Sequence, residues 1–127
     1  MNLAELFEQG ETLTAAEAGN LSTEEYVPHK AFKGVSLKLL VGGSETDNAV
    51  SLHLVRVEPG CCLDTHEHPQ NLEIHKVICG SGCVVIGNHT GEYKTGSIGV
   101  IPMGTPHKVT AGADGIYMLA TFSPALA

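Results

Sequence analysis

The sequence has no tryptophan and few aromatic residues of any kind, and only 17% of its residues are charged. It contains one arginine, Arg56, and its formal net charge is −7. Proteins that hold a nucleic-acid backbone need clustered Lys and Arg, so that class of partner is not expected. No apolar run comes near the ~18 residues of a membrane-crossing helix, so no membrane association is expected. The opening MNLAELFEQGE lacks a basic stretch followed by an apolar one and does not read as a secretory signal. The cysteines form no CxxC pair: Cys61 and Cys62 are adjacent, and Cys79 and Cys83 are four apart. Adjacent strand residues point to opposite faces, which argues against a four-thiolate metal cluster and for reduced thiols in a cytoplasmic protein. At 127 residues there is no room for two full domains, but enough chain for one core.

What is present is glycine, at 15 residues, and histidine, at 7. Residues 2–25 are acidic and rich in Ala and Leu. Leu3, Leu6 and Phe7 can share a helical stripe, predicting a short helix from Asn2 to Gln9 with Asn2 as its cap. Thr14 with Glu17, and Ser22 with Glu25, have capping-box spacing and predict two further helical turns. From Val35 the period changes to two. Strands are expected at Val35–Leu40, Ala49–Val57, Leu72–Cys79, Gly82–Ile86, Ser97–Ile101, Lys108–Thr110 and Ile116–Thr121, with glycine-bearing turns between them. Many short strands without crossover helices indicate an all-β antiparallel sandwich or closed barrel. The chain divides into an N-terminal segment, 1–25, and a barrel domain, 26–127.

Two stretches carry the chemistry. In GCCLDTHEHPQNLEIHKVICGSG, His66 and His68 are two apart and leave one face of an extended segment, and Glu73 follows after room for a turn. In GSIGVIPMGTPHKV, His107 follows a Pro-x-Gly turn and begins an apolar strand. Three imidazoles and one carboxylate suit Fe, Mn, Ni, Co or Zn. The alternative is that the histidines are surface loop residues and Glu73 a solvated charge.

These residues also carry a resemblance. Gly60, His66, His68, Glu73 and Gly80 match the spacing of the first motif of the cupin superfamily. Gly96, Pro102, Gly104 and His107 match the second, with Ala111 where that motif ends in Asn. The resemblance spans about Val35 to Pro124. It implies a double-stranded β-helix, or jelly-roll, barrel holding one divalent transition metal on His66, His68, Glu73 and His107. It also implies a homodimer, with residues 26–41 as an available sheet edge.

Superfamily membership does not specify a reaction. Alternation from Glu73 turns His75, Val77 and Cys79 to the same face, so His75 is the candidate catalytic base; the alternative is a structural histidine satisfied by a buried hydrogen-bond partner. Arg56 shares a face with Leu52 and Leu54, and if that face is internal it can clamp a substrate carboxylate. His29 and His89 are expected at the surface, and Met118 in the core. The expected function is a metal-dependent enzyme of isomerase or lyase type on a small oxygenated metabolite, with the metal as Lewis acid. The alternatives are a metal-dependent dioxygenase and a non-catalytic small-molecule or sugar-binding protein.

Overall fold

The computed structural model describes residues 1–127. Helix α1 (Leu3–Glu8) forms where the stripe predicts, and the Asn2 side chain accepts from the Glu5 N–H at 2.8 Å. The next segment corrects the expectation of helical turns. Strands β1 (Glu11–Leu13) and β2 (Ala18–Asn20) make an antiparallel hairpin, and Thr14 Oγ1 closes its turn by accepting from the Ala16 and Glu17 N–H groups. The same side-chain oxygen that can cap a helix caps a turn when no apolar stripe comes after it. A single 3₁₀ turn, Leu21–Thr23, comes next, and Asn20 rather than Ser22 caps it.

The barrel is built from β3 (Val27–Pro28), β4 (Val35–Val41), β5 (Ser51–Val57), β6 (Cys62–His66), β7 (Leu72–Ile86), β8 (His89–Lys94), β9 (Ile98–Ile101) and β10 (His107–Ser123). All pairings are antiparallel. The order is β3-β4-β5-β10-β7-β8, with β6 also on β10 and β9 also on β7. This is the expected all-β jelly roll with a short N-terminal helix. β7 and β10 are each continuous where the sequence predicts two strands. Their glycines bend the strands without ending them. The pairing jumps from Ala111↔Gly82 to Ile116↔Gly80, which inserts extra residues in β10 and turns a corner. At that corner Gly80 has φ +79°, and a Cβ there would overlap the Gly115 carbonyl oxygen, so only glycine fits.

Two apolar clusters occupy opposite sides of these strands. The inner one contains Val35, Val55, Val57, Leu63, Val77, Ile116, Met118 and Phe122, among others. The outer one joins Leu40, Leu54, Ile78 and Leu119 to Ala4 and Leu21 of the N-terminal segment. Helix α1 and the 3₁₀ turn therefore pack on the outer face of the barrel through Ala4, Phe7 and Leu21. Cys79 packs with the outer cluster and not beside Val77, because β10 advances one residue, Met118 to Tyr117, while β7 advances two, Val77 to Cys79. All four cysteines are free thiols.

Arg56 also belongs outside. Its Nε donates to Ser36 Oγ at 3.2 Å, and its guanidinium lies 3.9 Å from the centre of the Tyr26 ring. Lys38, although buried, donates from Nζ to the Glu8 carbonyl at 2.7 Å, at the end of α1. Tyr26 completes the group with a 2.7 Å hydrogen bond to Glu8 Oε2. The face of Arg56 is thus the outer one, so Arg56 is not a carboxylate clamp inside the barrel but part of an outer latch that ties α1 to β4 and β5.

Candidate metal centre

Strand pairing brings the two histidine motifs together. His66 ends β6 and His107 begins β10, and the two residues are register partners. Glu73 lies near the start of β7, opposite Phe122 of β10 and Ile101 of β9. His68 is on the loop between β6 and β7, which the second motif's turn holds in place: the Gly104 N–H donates to the His68 carbonyl at 2.9 Å. Gly104 has φ +70°, so a left-handed residue in the Pro102–His107 turn is what aims that N–H.

One potential ligand atom from each of His66, His68, Glu73 and His107 lies within 4.8 Å of the others. Glu73 and His107 are buried, and His66 and His68 are half-buried. The tautomers are set from behind. His66 Nδ1 is 2.7 Å from the Asp64 carbonyl and His107 Nδ1 is 3.0 Å from the Thr105 carbonyl. A carbonyl only accepts, so each Nδ1 carries the proton and each Nε2 turns a lone pair inward. Phe32 and Phe122 pack against the His66 and His68 rings.

Glu73 Oε1 and His107 Nε2 are both buried and neither makes a well-directed hydrogen bond, although they lie 3.0 Å apart. Two lone-pair atoms this close repel unless a proton or a cation lies between them. Burial alone would lower the His107 pKa, but Glu73 and the Thr105 carbonyl raise it above the ordinary histidine value. For Glu73, burial acts upward, yet the close approach of His107 and the hydrogen bond from His75 hold it well below the usual carboxylate range. His66 and His68 are lowered, chiefly by burial, which keeps them neutral and able to donate a lone pair. The donor set, its tautomers and the two orphaned atoms all fit a divalent transition metal.

The pocket beside this cluster has about 60 Å³ of space and is lined chiefly by Val35, Leu37, Val55, Leu63, Phe122 and Leu126, together with His29. No Lys or Arg lines it. His29, expected at the surface, is half-buried and lines the cavity, which its spacing in the sequence did not reveal. It comes from the β3–β4 connection, and its Nδ1 accepts from the Ala31 and Phe32 N–H groups, which leaves Nε2 as a donor. His89 is exposed, as expected, and His53 is buried against Phe122 with Nε2 3.0 Å from Ser51 Oγ. His75 faces inward, as alternation predicts, but does not line the pocket. Its Nε2 is 2.8 Å from Glu73 Oε2 and its Nδ1 is 3.0 Å from the Tyr93 hydroxyl.

A family model described as the ChrR cupin-like domain matches residues 14–126. The chain belongs to this cupin family. Among solved structures, it is similar to KdgF from Halomonas sp., with 19% identity, a TM-score of 0.70, and coverage of 79% of this chain and 86% of that one. A predicted oxalate decarboxylase from Thermotoga maritima gives 20% identity, a TM-score of 0.72, and coverage of 80% and 92%. Oxalate decarboxylase from Bacillus subtilis, a protein with Mn(II) centres, gives 23% identity and a TM-score of 0.70 over 81% of this chain and 28% of that one. At these identities the likeness establishes the cupin fold. No curated protein matches the chain. No helix is long and apolar enough to cross a membrane.

Proposed function

We propose that this cupin is a divalent-metal enzyme that acts on a small oxygenated metabolite by isomerase- or lyase-type chemistry. The observation that carries the proposal is the convergence of three imidazoles and one carboxylate beside a small apolar cavity. When bound on His66, His68, Glu73 and His107, the metal supplies Lewis acidity toward a carbonyl or carboxylate oxygen. The chain's own residues select and orient. Val35, Leu37, Leu63 and Phe122 exclude water and admit a short carbon skeleton, while the absence of a cationic side chain leaves substrate oxygens no partner on the wall except the metal and His29. Nε2 of His29 offers one hydrogen bond in the cavity wall. The neighbours that are cupin enzymes support catalysis as a class and do not name the substrate.

A second proposal, a non-catalytic binding protein, is favoured by one feature. Beyond the ligand set, no side chain in the cavity wall presents a free proton acceptor, since both nitrogens of His75 are engaged elsewhere. The test begins with metal analysis of untagged protein purified without added metal. Small keto acids, hydroxy acids and keto-sugars are then followed by NMR in deuterated water. Deuterium uptake beside a carbonyl, or turnover, is the expected result. Chemical-shift changes without exchange or turnover would favour the binding protein, and oxygen consumption with Fe(II) would favour a dioxygenase. The proposal also includes a homodimer through the short edge strand β3, where Val27 is exposed; light scattering giving a monomer mass rejects it.

A further inference from the structure

The two oxygens of Glu73 are used differently. Oε1 points at the cluster, 3.0 Å from His107 Nε2 and 3.8 Å from His68 Nε2. Oε2 points away and meets His75 Nε2 at 2.8 Å. A carboxylate only accepts, so His75 Nε2 carries a proton and donates it. That leaves Nδ1 as an acceptor for the Tyr93 hydroxyl at 3.0 Å. The chain of donors runs one way, from Tyr93 to His75 to Glu73. His75 is fully buried and Tyr93 nearly so, so water does not compete for either bond. Gly99, the register partner of His75 on β9, leaves the space that the Tyr93 hydroxyl occupies; any Cβ at position 99 would overlap that hydroxyl.

We infer that His75 and Tyr93 are positioning residues that hold Glu73 as a one-oxygen metal ligand, tying back Oε2 so that only Oε1 meets the cation. The inference rests on the metal site proposed above and assigns His75 a role other than base. A ligand carboxylate restrained to one oxygen leaves coordination positions for substrate oxygens, which a two-oxygen grip would occupy. Partners behind a ligand set its orientation, and their loss costs about 10–100-fold in metal affinity.

The test uses Co(II) on the 127-residue chain, with affinity from calorimetry and coordination from the visible absorption spectrum. Y93F removes one hydroxyl at nearly constant volume and is expected to fold, to bind Co(II) several-fold more weakly and to shift the spectrum. G99A, which leaves Tyr93 intact but crowds its hydroxyl, is expected to behave in the same way. H75L removes the donor to Oε2 and is expected to lose about 10–100-fold, with an absorption spectrum of higher coordination as the second oxygen engages. H75Q, whose amide can still donate, is expected to recover most of that loss. Wild-type Co(II) affinity and spectrum in both Y93F and H75L would overturn the inference while leaving the metal site standing. Failure of the wild-type protein to bind Co(II) or Zn(II) would overturn the metal site itself, and the inference with it.

Discussion

The inner and outer faces of the barrel wall treat their polar groups in opposite ways. On the outer face Lys38, Tyr26, Glu8, Arg56 and Ser36 are joined by hydrogen bonds and by the stacking of Arg56 on Tyr26. On the inner face Glu73 Oε1 and His107 Nε2 are buried 3.0 Å apart without a directed hydrogen bond. Both groups lie beside apolar clusters, and leaving a buried polar atom unpaired costs about 1–3 kcal/mol. The outer group avoids that cost and fastens a helix. The inner group bears it, and a metal bound at that point would offset it. Burial of polar residues does not separate a structural cluster from a functional one; the completeness of their pairing does.

The largest expected effect breaks the inner face. Replacing His68 with Ala should lower metal affinity by more than about 100-fold, beyond the loss typical of a residue that only hydrogen-bonds a ligand from behind, while the β-sheet circular dichroism stays unchanged. Saturating metal at about 100 times its Kd should stabilise the wild-type protein by about 2.7 kcal/mol and leave the variant's unfolding midpoint where it was. A variant that lost cooperative unfolding would show that the metal organises the fold as well as the site.

The outer latch should respond in the reverse sense. Lys38→Met keeps the apolar stem and removes the charged donor to the Glu8 carbonyl, at an expected cost of about 1.5–3 kcal/mol in denaturant unfolding. Metal affinity should change by less than about twofold, because sites with no shared partners act nearly independently. A large loss of metal in this variant would mean that the two faces are coupled through β4 and β5.

The smallest effect is on pH dependence. Burial lowers the pKa of His53 below its ordinary value, so the folded protein disfavours a proton that the unfolded chain accepts near pH 6.5. This stability is fully present above about pH 6.5 and is lost as pH falls through the lower folded pKa. His53→Gln should therefore flatten the fall of the thermal midpoint, by a few degrees, on the acid side. The experiment is best done on metal-free protein and again with metal, since His66 and His68 titrate in the same direction only when unligated. An equal slope in variant and wild type would show that His53 does not contribute.

Much of the site was legible because its signals are local. His66 and His68 are two apart on extended chain, Glu73 comes at a fixed interval after them, and Gly104 precedes His107 in a turn that needs a left-handed residue. The helix cap at Asn2 was legible for the same reason. The Thr14 and Ser22 motifs misled because a side-chain oxygen accepting backbone N–H groups serves a turn as well as a helix, and only the packing of the residues after it distinguishes the two. β7 and β10 were each divided at glycines that bend a strand at a corner, a difference visible only once both strands lie side by side. His29 gave no signal, since its place at the cavity depends on how the β3–β4 connection folds.

By itself the sequence determined the residue types of the ligand set, the alternation that keeps Glu73 and His75 on one face, and the antiparallel character of the chain. These come from covalent spacing and the two-residue period of a strand. Only the tertiary structure decided which face became the interior. Alternation says that Arg56 accompanies Leu52 and Leu54, but an apolar neighbour is equally available on either side of a wall covered inside by a core and outside by the N-terminal segment. It also decided what meets the two nitrogens of His75, because Glu73 and Tyr93, from β7 and β8, come together there and occupy both, and the supporting role proposed for His75 rests on those contacts.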